Sequence, residues 1–210
     1  MIDVHIVGAG GYGRVVLGQM LDDIACGKEW RVAGFLDERK NILDGYNYEI
    51  GIVGDPMTYM PKANDMFVCA LGAPAHRKTY AAPLLAKGAK FINILTETYF
   101  GRNVKLGQGC FFERRVGIGP DCTIGDFVII HSLAILGHDI TIGEYSHISC
   151  FSFIGGGAKI GAGVTVHPHA TILPGMVIGD GATIGAGSVV VSNVPAGMTV
   201  FGNPAKRLQW

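Results

Sequence analysis

This 210-residue sequence is short of charge. Asp, Glu, Lys and Arg make up 16% of it, and 17 basic residues balance 17 acidic ones. A chain with no net charge has no overall electrostatic footprint for nucleic acid or an anionic membrane. Cysteine is scarce and odd in number: Cys26, Cys69, Cys110, Cys122 and Cys150. No CxxC is present, and an odd count gives no disulfide framework. Reduced, mostly buried thiols of a cytoplasmic protein are expected. No apolar run approaches the roughly eighteen residues that span a bilayer. The start, MIDVHIVGAGG, has no basic n-region and reads as a strand rather than a signal peptide.

Glycine, at 32 residues, is abundant. Most of it falls in one repeat. Every sixth residue from Leu106 is large and apolar: Leu106, Phe112, Ile118, Ile124, Ile130, and so on without a slip to Ile184 and Val190. Gly follows directly at 107, 119, 125, 137, 143, 155, 161, 179 and 185. Such a period fits neither an α-helix nor a lone strand. It predicts a hexapeptide β-solenoid in which three short strands close one coil and residues 18 apart stack. After Val190 the period stops, and a Pro- and Gly-rich tail is expected to cap the last coil.

The first part of the chain alternates strand and helix patterns. IDVHIV is followed by Gly8-x-Gly10-x-x-Gly13, then a helical RVVLGQMLDDIA, then WRVAGFLD ending at Asp37. DMFVCALG leads to Gly72, and a helix from about Pro74 to Lys87 precedes KFINIL. This predicts a small Rossmann-like parallel α/β domain over residues 1–97, with a β-helix over 98–210. The glycines let a phosphate approach a helix N-terminus, and Asp37 is placed to accept hydrogen bonds from a ribose or base. A domain of about 95 residues holds one mononucleotide half, which favours a nucleotide sugar over NAD. Arg77 is read either as an anion partner or as a surface residue.

A solenoid is a scaffold, so chemistry must come from side chains outside its apolar column. His138-Asp139 stands out, because a carboxylate beside an imidazole fixes the tautomer of a general base. Adjacent strand residues point to opposite faces, so the pair works only at a corner, which Gly137 permits. His131, Ser149 and His167 form one 18-residue column. The two histidines are two coils apart, roughly 9–10 Å, too far to share a metal. No metal is expected.

In order, GAGGYG, FLDE, ALGAPAHR, GHDITIGEYSHIS and GNPAKRL resemble the bacterial sugar acyltransferases of the sialic-acid O-acetyltransferase type. That family includes N-acetyltransferases of nucleotide-linked 4-amino sugars. The resemblance covers nearly the whole chain. It implies a left-handed β-helix, a homotrimer with active sites between subunits, and acetyl-CoA as donor. It makes His138 the general base with Asp139 behind it, and puts His147, Gly156, Pro168 and Ala186 against acetyl-CoA. Gly10, Gly11, Tyr12, Asp37, Glu38 and Gly72 fall on nucleotide-sugar positions, and His131 lies near the acceptor. Measured along the apolar column, Pro168 and Ala186 occupy the same two-past position as His138, so base and CoA groove are expected on equivalent corners. Two departures stand out: relatives acting on amino sugars carry Asn at 131 and Glu at 137, where this chain has His131 and Gly137. Losing that Glu keeps a sugar O-acetyltransferase open as an alternative. A non-catalytic nucleotide-binding scaffold and a nicotinamide oxidoreductase are the more distant ones.

Overall fold

The computed structural model describes residues 2–208. The chain divides into two compact units between Ile94 and Leu95, three residues before the expected boundary.

The first unit is a five-stranded parallel sheet. Its strands are β1 (Ile2–Val7), β2 (Trp30–Leu36), β3 (Ile52–Gly54), β4 (Asp65–Cys69) and β5 (Lys90–Phe91), in the order β3-β2-β1-β4-β5. Helix α1 (Gly11–Ala25) joins β1 to β2, and α2 (Pro74–Ala86) joins β4 to β5. The strands are apolar because both faces of a parallel sheet are covered: Val4, Ile6, Val7, Phe35, Leu36, Phe67 and Val68 are all buried. After β1 the chain moves to one side of the sheet; after β3 it returns to the other. The carboxyl ends of β1 and β4 therefore flank a topological switch point, where open α/β sheets bind ligands.

The second unit is a parallel β-helix. Two-residue strands stack in three sheets at the predicted 18-residue offset, for example Ile129↔His147, Ile135↔Phe153 and Thr141↔Lys159. The sixth-residue column forms a continuous buried core from Phe112 to Val190. The spacing in fact reaches back through Phe100 to Ile94, both of which sit in strands of the coil. That is why the KFINIL stretch divides: Lys90–Phe91 belongs to the α/β sheet, whereas Ile94–Leu95 opens the β-helix. Corners have a fixed conformation. From Ile94 to Ile184 the third residue after each inward one takes a positive φ, whether or not it is glycine: Asp121, Phe127, Leu133, Asp139, Tyr145 and Phe151 all lie between 56° and 63°.

The tail continues the coil with broken spacing. Val194 bridges to Ile178, and Thr199–Phe201 pairs in parallel with Thr183–Ile184. Lys206–Arg207 then turns back antiparallel on that strand, closing the exposed edge.

Candidate active site

The glycine turn sits at the end of β1, with Gly10 as the N-cap of α1. The helix starts inside the motif, three residues earlier than the apolar pattern predicts. Gly8 has φ +97°, and a Cβ there would meet Leu71 Cδ2 at 2.7 Å. A Cβ on Gly13 would collide with the Gly8 carbonyl oxygen, so this glycine lets α1 lie against the turn. Gly10 and Gly11 face open space; the nearest atoms to their Cβ positions are guanidinium nitrogens of Arg39 at 4.0 Å and Arg14 at 3.9 Å. Beside the turn is a cleft of about 170 Å³ lined by Gly8, Asp37, Glu38, Arg39, His76 and Tyr80, among others.

Asp37 has a role that the sequence reading did not foresee. Its Oδ2 accepts from the Ala9 N–H and Arg39 Nη2, both at 2.9 Å. Its Oδ1 accepts from the Arg39 N–H at 3.0 Å and Arg39 Nε at 2.9 Å. A carboxylate has about four acceptor sites, and here all are used. Burial pushes the carboxyl up, but Arg39 and the backbone N–H groups of Ala9 and Arg39 outweigh it and hold it below the ordinary range. Asp37 thus anchors the glycine turn, and a ribose hydroxyl would have to displace the exposed Arg39 to reach it. Glu38 is exposed and accepts from the Tyr80 hydroxyl at 3.0 Å. Arg77 fits neither expectation. It is fully buried and donates to the carbonyls of Leu71 and Gly72, so it fixes the loop after β4.

On the β-helix, His138 and Asp139 meet at a corner. His138 Nδ1 lies 2.6 Å from Asp139 Oδ2, and both side chains are about two-thirds exposed (66% and 65%). The positive φ of Asp139, 56°, turns its side chain to the same side as the histidine, which a regular strand would not allow. The pairing puts the ring proton on Nδ1 and leaves Nε2 as the basic nitrogen. Gly156, one coil on, lies against this ring: a Cβ there would stand 2.6 Å from Nε2.

His131 belongs to the preceding corner. Its Nδ1 is 2.7 Å from Glu113 Oε1, and its ring stacks on His147 with centroids 4.7 Å apart and planes 13° from parallel. The other Glu113 oxygen accepts from the Ser132 N–H and hydroxyl. Burial pushes Glu113 up, but His131 and Ser132 together hold it below the usual carboxylate range. Glu113 escaped the sequence reading. Counting 18 back from His131 would have found it.

The expected common corner for base and CoA groove does not exist. Pro168 and Ala186 follow the strands Thr165–Val166 and Thr183–Ile184, in the same sheet as His147. His138 follows Ile135–Leu136, in the next sheet. The two-past position recurs every six residues, but only every third recurrence returns to the same corner. Within one chain the candidates form two groups: His131, His147, Pro168 and Ala186 on one corner, His138, Asp139 and Gly156 on the next. Between them runs one face of the prism, and it is apolar outside as well as inside. Ile135 and Phe153 project from its strands with 53% and 43% exposure, and Leu133 and Phe151 stand at its edge. Among the described residues no cluster of three or more His, Cys, Asp or Glu is placed to hold a metal ion, and no helix is long and apolar enough to cross a membrane.

Residues 3–84 match the model of the PglD N-terminal domain. Residues 121–156 and 157–192 match the bacterial transferase hexapeptide (six repeats). Among solved structures, PerB from Caulobacter crescentus, in complex with CoA and GDP-perosamine, is 29% identical with a TM-score of 0.87, covering 99% of this chain and 97% of that one. The acetyltransferase domain of PglB from Neisseria gonorrhoeae is 26% identical with a TM-score of 0.88, covering 99% and 100%. A curated relative, the bifunctional protein GlmU of Methylobacillus flagellatus, is 36% identical over 74 residues, which span only 16% of its length. With a PglD-type domain over residues 3–84, bacterial transferase hexapeptide repeats over residues 121–192 and acetyltransferases as structural neighbours along the whole chain, this protein is an acyltransferase of the hexapeptide-repeat type.

Proposed function

We propose that the protein transfers an acetyl group from acetyl-CoA to the amine of a nucleotide-linked 4-amino sugar, with His138 as general base. The observation that carries this reading is the His138–Asp139 contact: an exposed imidazole held through Nδ1, its Nε2 turned to a corner where Gly156 leaves room. The PerB structure holds CoA and a nucleotide-linked amino sugar on the same fold.

The residues fit a CoA arm. Cys150, Pro168 and Ala186 stack as a column of modest side chains, and His147 stands beside it in the same sheet. Acetyl-CoA brings an activated thioester. His138 Nε2 takes the proton from the acceptor nitrogen as that nitrogen attacks the thioester carbonyl, and passes it to the departing sulfur. A backbone N–H at the corner holds the carbonyl oxygen as it gains charge. The α/β cleft at Gly8, Glu38 and Tyr80 takes the nucleotide and so raises the local concentration of the sugar.

Because the candidates lie on two corners of the prism, we infer that the protein acts as a homotrimer. The apolar face between the corners is the surface a second copy covers, and a cyclic head-to-tail interface brings the His131 corner of one copy to the His138 corner of the next.

A second reading has one observation in its favour. Position 137 offers no carboxylate for a sugar ammonium, and the corner is closed to one: a Cβ on Gly137 would lie 2.8 Å from Gly156 N. This keeps O-acetylation of a sugar hydroxyl in view. Thiol release from acetyl-CoA, measured against UDP-, GDP- and dTDP-linked 4-amino sugars beside unactivated sugars, separates the two. Near-normal turnover by His138→Ala, with the assembly intact, would remove His138 from its role.

A further inference from the structure

The Glu113–His131 pair has no part in the mechanism above, yet it repeats the chemistry of the His138–Asp139 pair. In each, a carboxylate oxygen lies within 2.7 Å of an imidazole Nδ1. In each, the contact fixes which ring nitrogen can take up a proton. The second pair is the better shielded: the side chains of His131 and Glu113 are 20% and 14% exposed. Two further hydrogen bonds from Ser132 hold Glu113 in place.

Proton balance says where such a pair is needed. A sugar amine arrives at neutral pH largely as an ammonium. Acetylating it breaks two N–H bonds: R–NH3+ plus the acetyl thioester gives R–NH–acetyl, the free CoA thiol and one proton. One proton goes to the sulfur through His138. The other must leave before the nitrogen has a lone pair with which to attack. A hydroxyl acceptor has a single proton to lose, and one base serves it.

We propose that His131, held by Glu113, is the acceptor of that first proton, with Glu113 as its positioning residue. This rests on the acetyl-transfer reading and on the neighbouring copy bringing the His131 corner to the reacting amine. The ionised Glu113 stabilises the imidazolium that forms, and the proton then passes to solvent. The pair thereby supplies the ammonium-attracting negative charge that Gly137 lacks. It also gives His131 a reason to stand where amino-sugar enzymes of the family carry Asn. Two titratable groups pack against His131 from neighbouring coils, Glu113 from the preceding one and His147 from the following one.

The test is the pH profile of kcat/KM for a nucleotide 4-amino sugar in the full-length protein, wild type against His131→Asn and Glu113→Gln, with oligomeric mass and acetyl-CoA affinity checked for each. The deficit of His131→Asn is expected to be about tenfold or more near pH 7.5, where the amine is still largely protonated and an imidazole can accept its proton, and to shrink to about threefold or less at pH 9, where the amine arrives neutral. Glu113→Gln should follow the same trend with a smaller amplitude. Profiles that run parallel at every pH would overturn the proposal and leave His131 as a binding contact. A wild type that acetylates only hydroxyl acceptors would overturn it together with the N-acetylation reading.

Discussion

The ring of His138 leans against the α-carbon of Gly156 so closely that one added methyl would stand 2.6 Å from Nε2. Since the histidine is two-thirds exposed, it can swing away from such a methyl without disturbing the core. Gly156→Ala should therefore leave the melting temperature nearly unchanged and misplace the proposed base. A displacement of about 1 Å at a reacting group costs on the order of a hundredfold. Steady-state kinetics beside a thermal melt decide it: loss of stability with kcat preserved would contradict this account.

Asp139→Asn isolates the carboxylate. Asn accepts the left-handed conformation at φ 56° that this corner imposes, so the backbone is kept. The amide no longer enforces a single tautomer of His138. A drop in kcat of roughly ten- to a hundredfold is expected, smaller than that of His138→Ala. Equal activity would show that the 2.6 Å contact is not used in turnover.

Asp37 makes acid stability a readout of the glycine turn. Its folded pKa lies below the unfolded value of 3.8. A group with a depressed folded pKa contributes stability above its unfolded pKa and loses it as pH falls through the folded one. Urea midpoints of the wild type should thus hold steady from pH 7 down to the ordinary carboxylate range and fall below it. In Asp37→Asn this part of the acid dependence should be missing, and the Ala9 N–H loses its charged acceptor at every pH. Superimposable pH profiles would contradict the anchoring role.

The exposed face between the two corners predicts a linked loss. Phe153→Glu places a charge on that outer face, away from the coil's core, where its neighbour Ile154 is the buried residue. The variant should fold with unchanged far-UV spectra, run at the monomer mass by light scattering, and lose transferase activity at the same time. An active monomer would show that His138 needs nothing from a neighbouring copy.

Much of this molecule was legible in its residues. The six-residue column determined the β-helix, because an inward side chain every sixth position has one way to be buried. The glycine turn and the strand and helix pattern placed a cleft at the carboxyl edge of a parallel sheet. His138 beside Asp139 was visible as a pair, and the corner that lets them meet was required by strand geometry before it was seen.

What the sequence left open was which surface each outward side chain shares. A period of six describes every corner alike. Only the three-sided closure of the coil puts Glu113 under His131, His131 on His147, and Pro168 a full face away from His138. Likewise, Arg39 takes up every acceptor of Asp37, and Arg77 is buried beneath the β4 loop, through contacts between segments distant in the chain. Burial of the apolar column is a local, repeating demand that sequence alone states. Which polar groups come within hydrogen-bonding reach depends on how the coil and the sheet close, and the tertiary structure decided that.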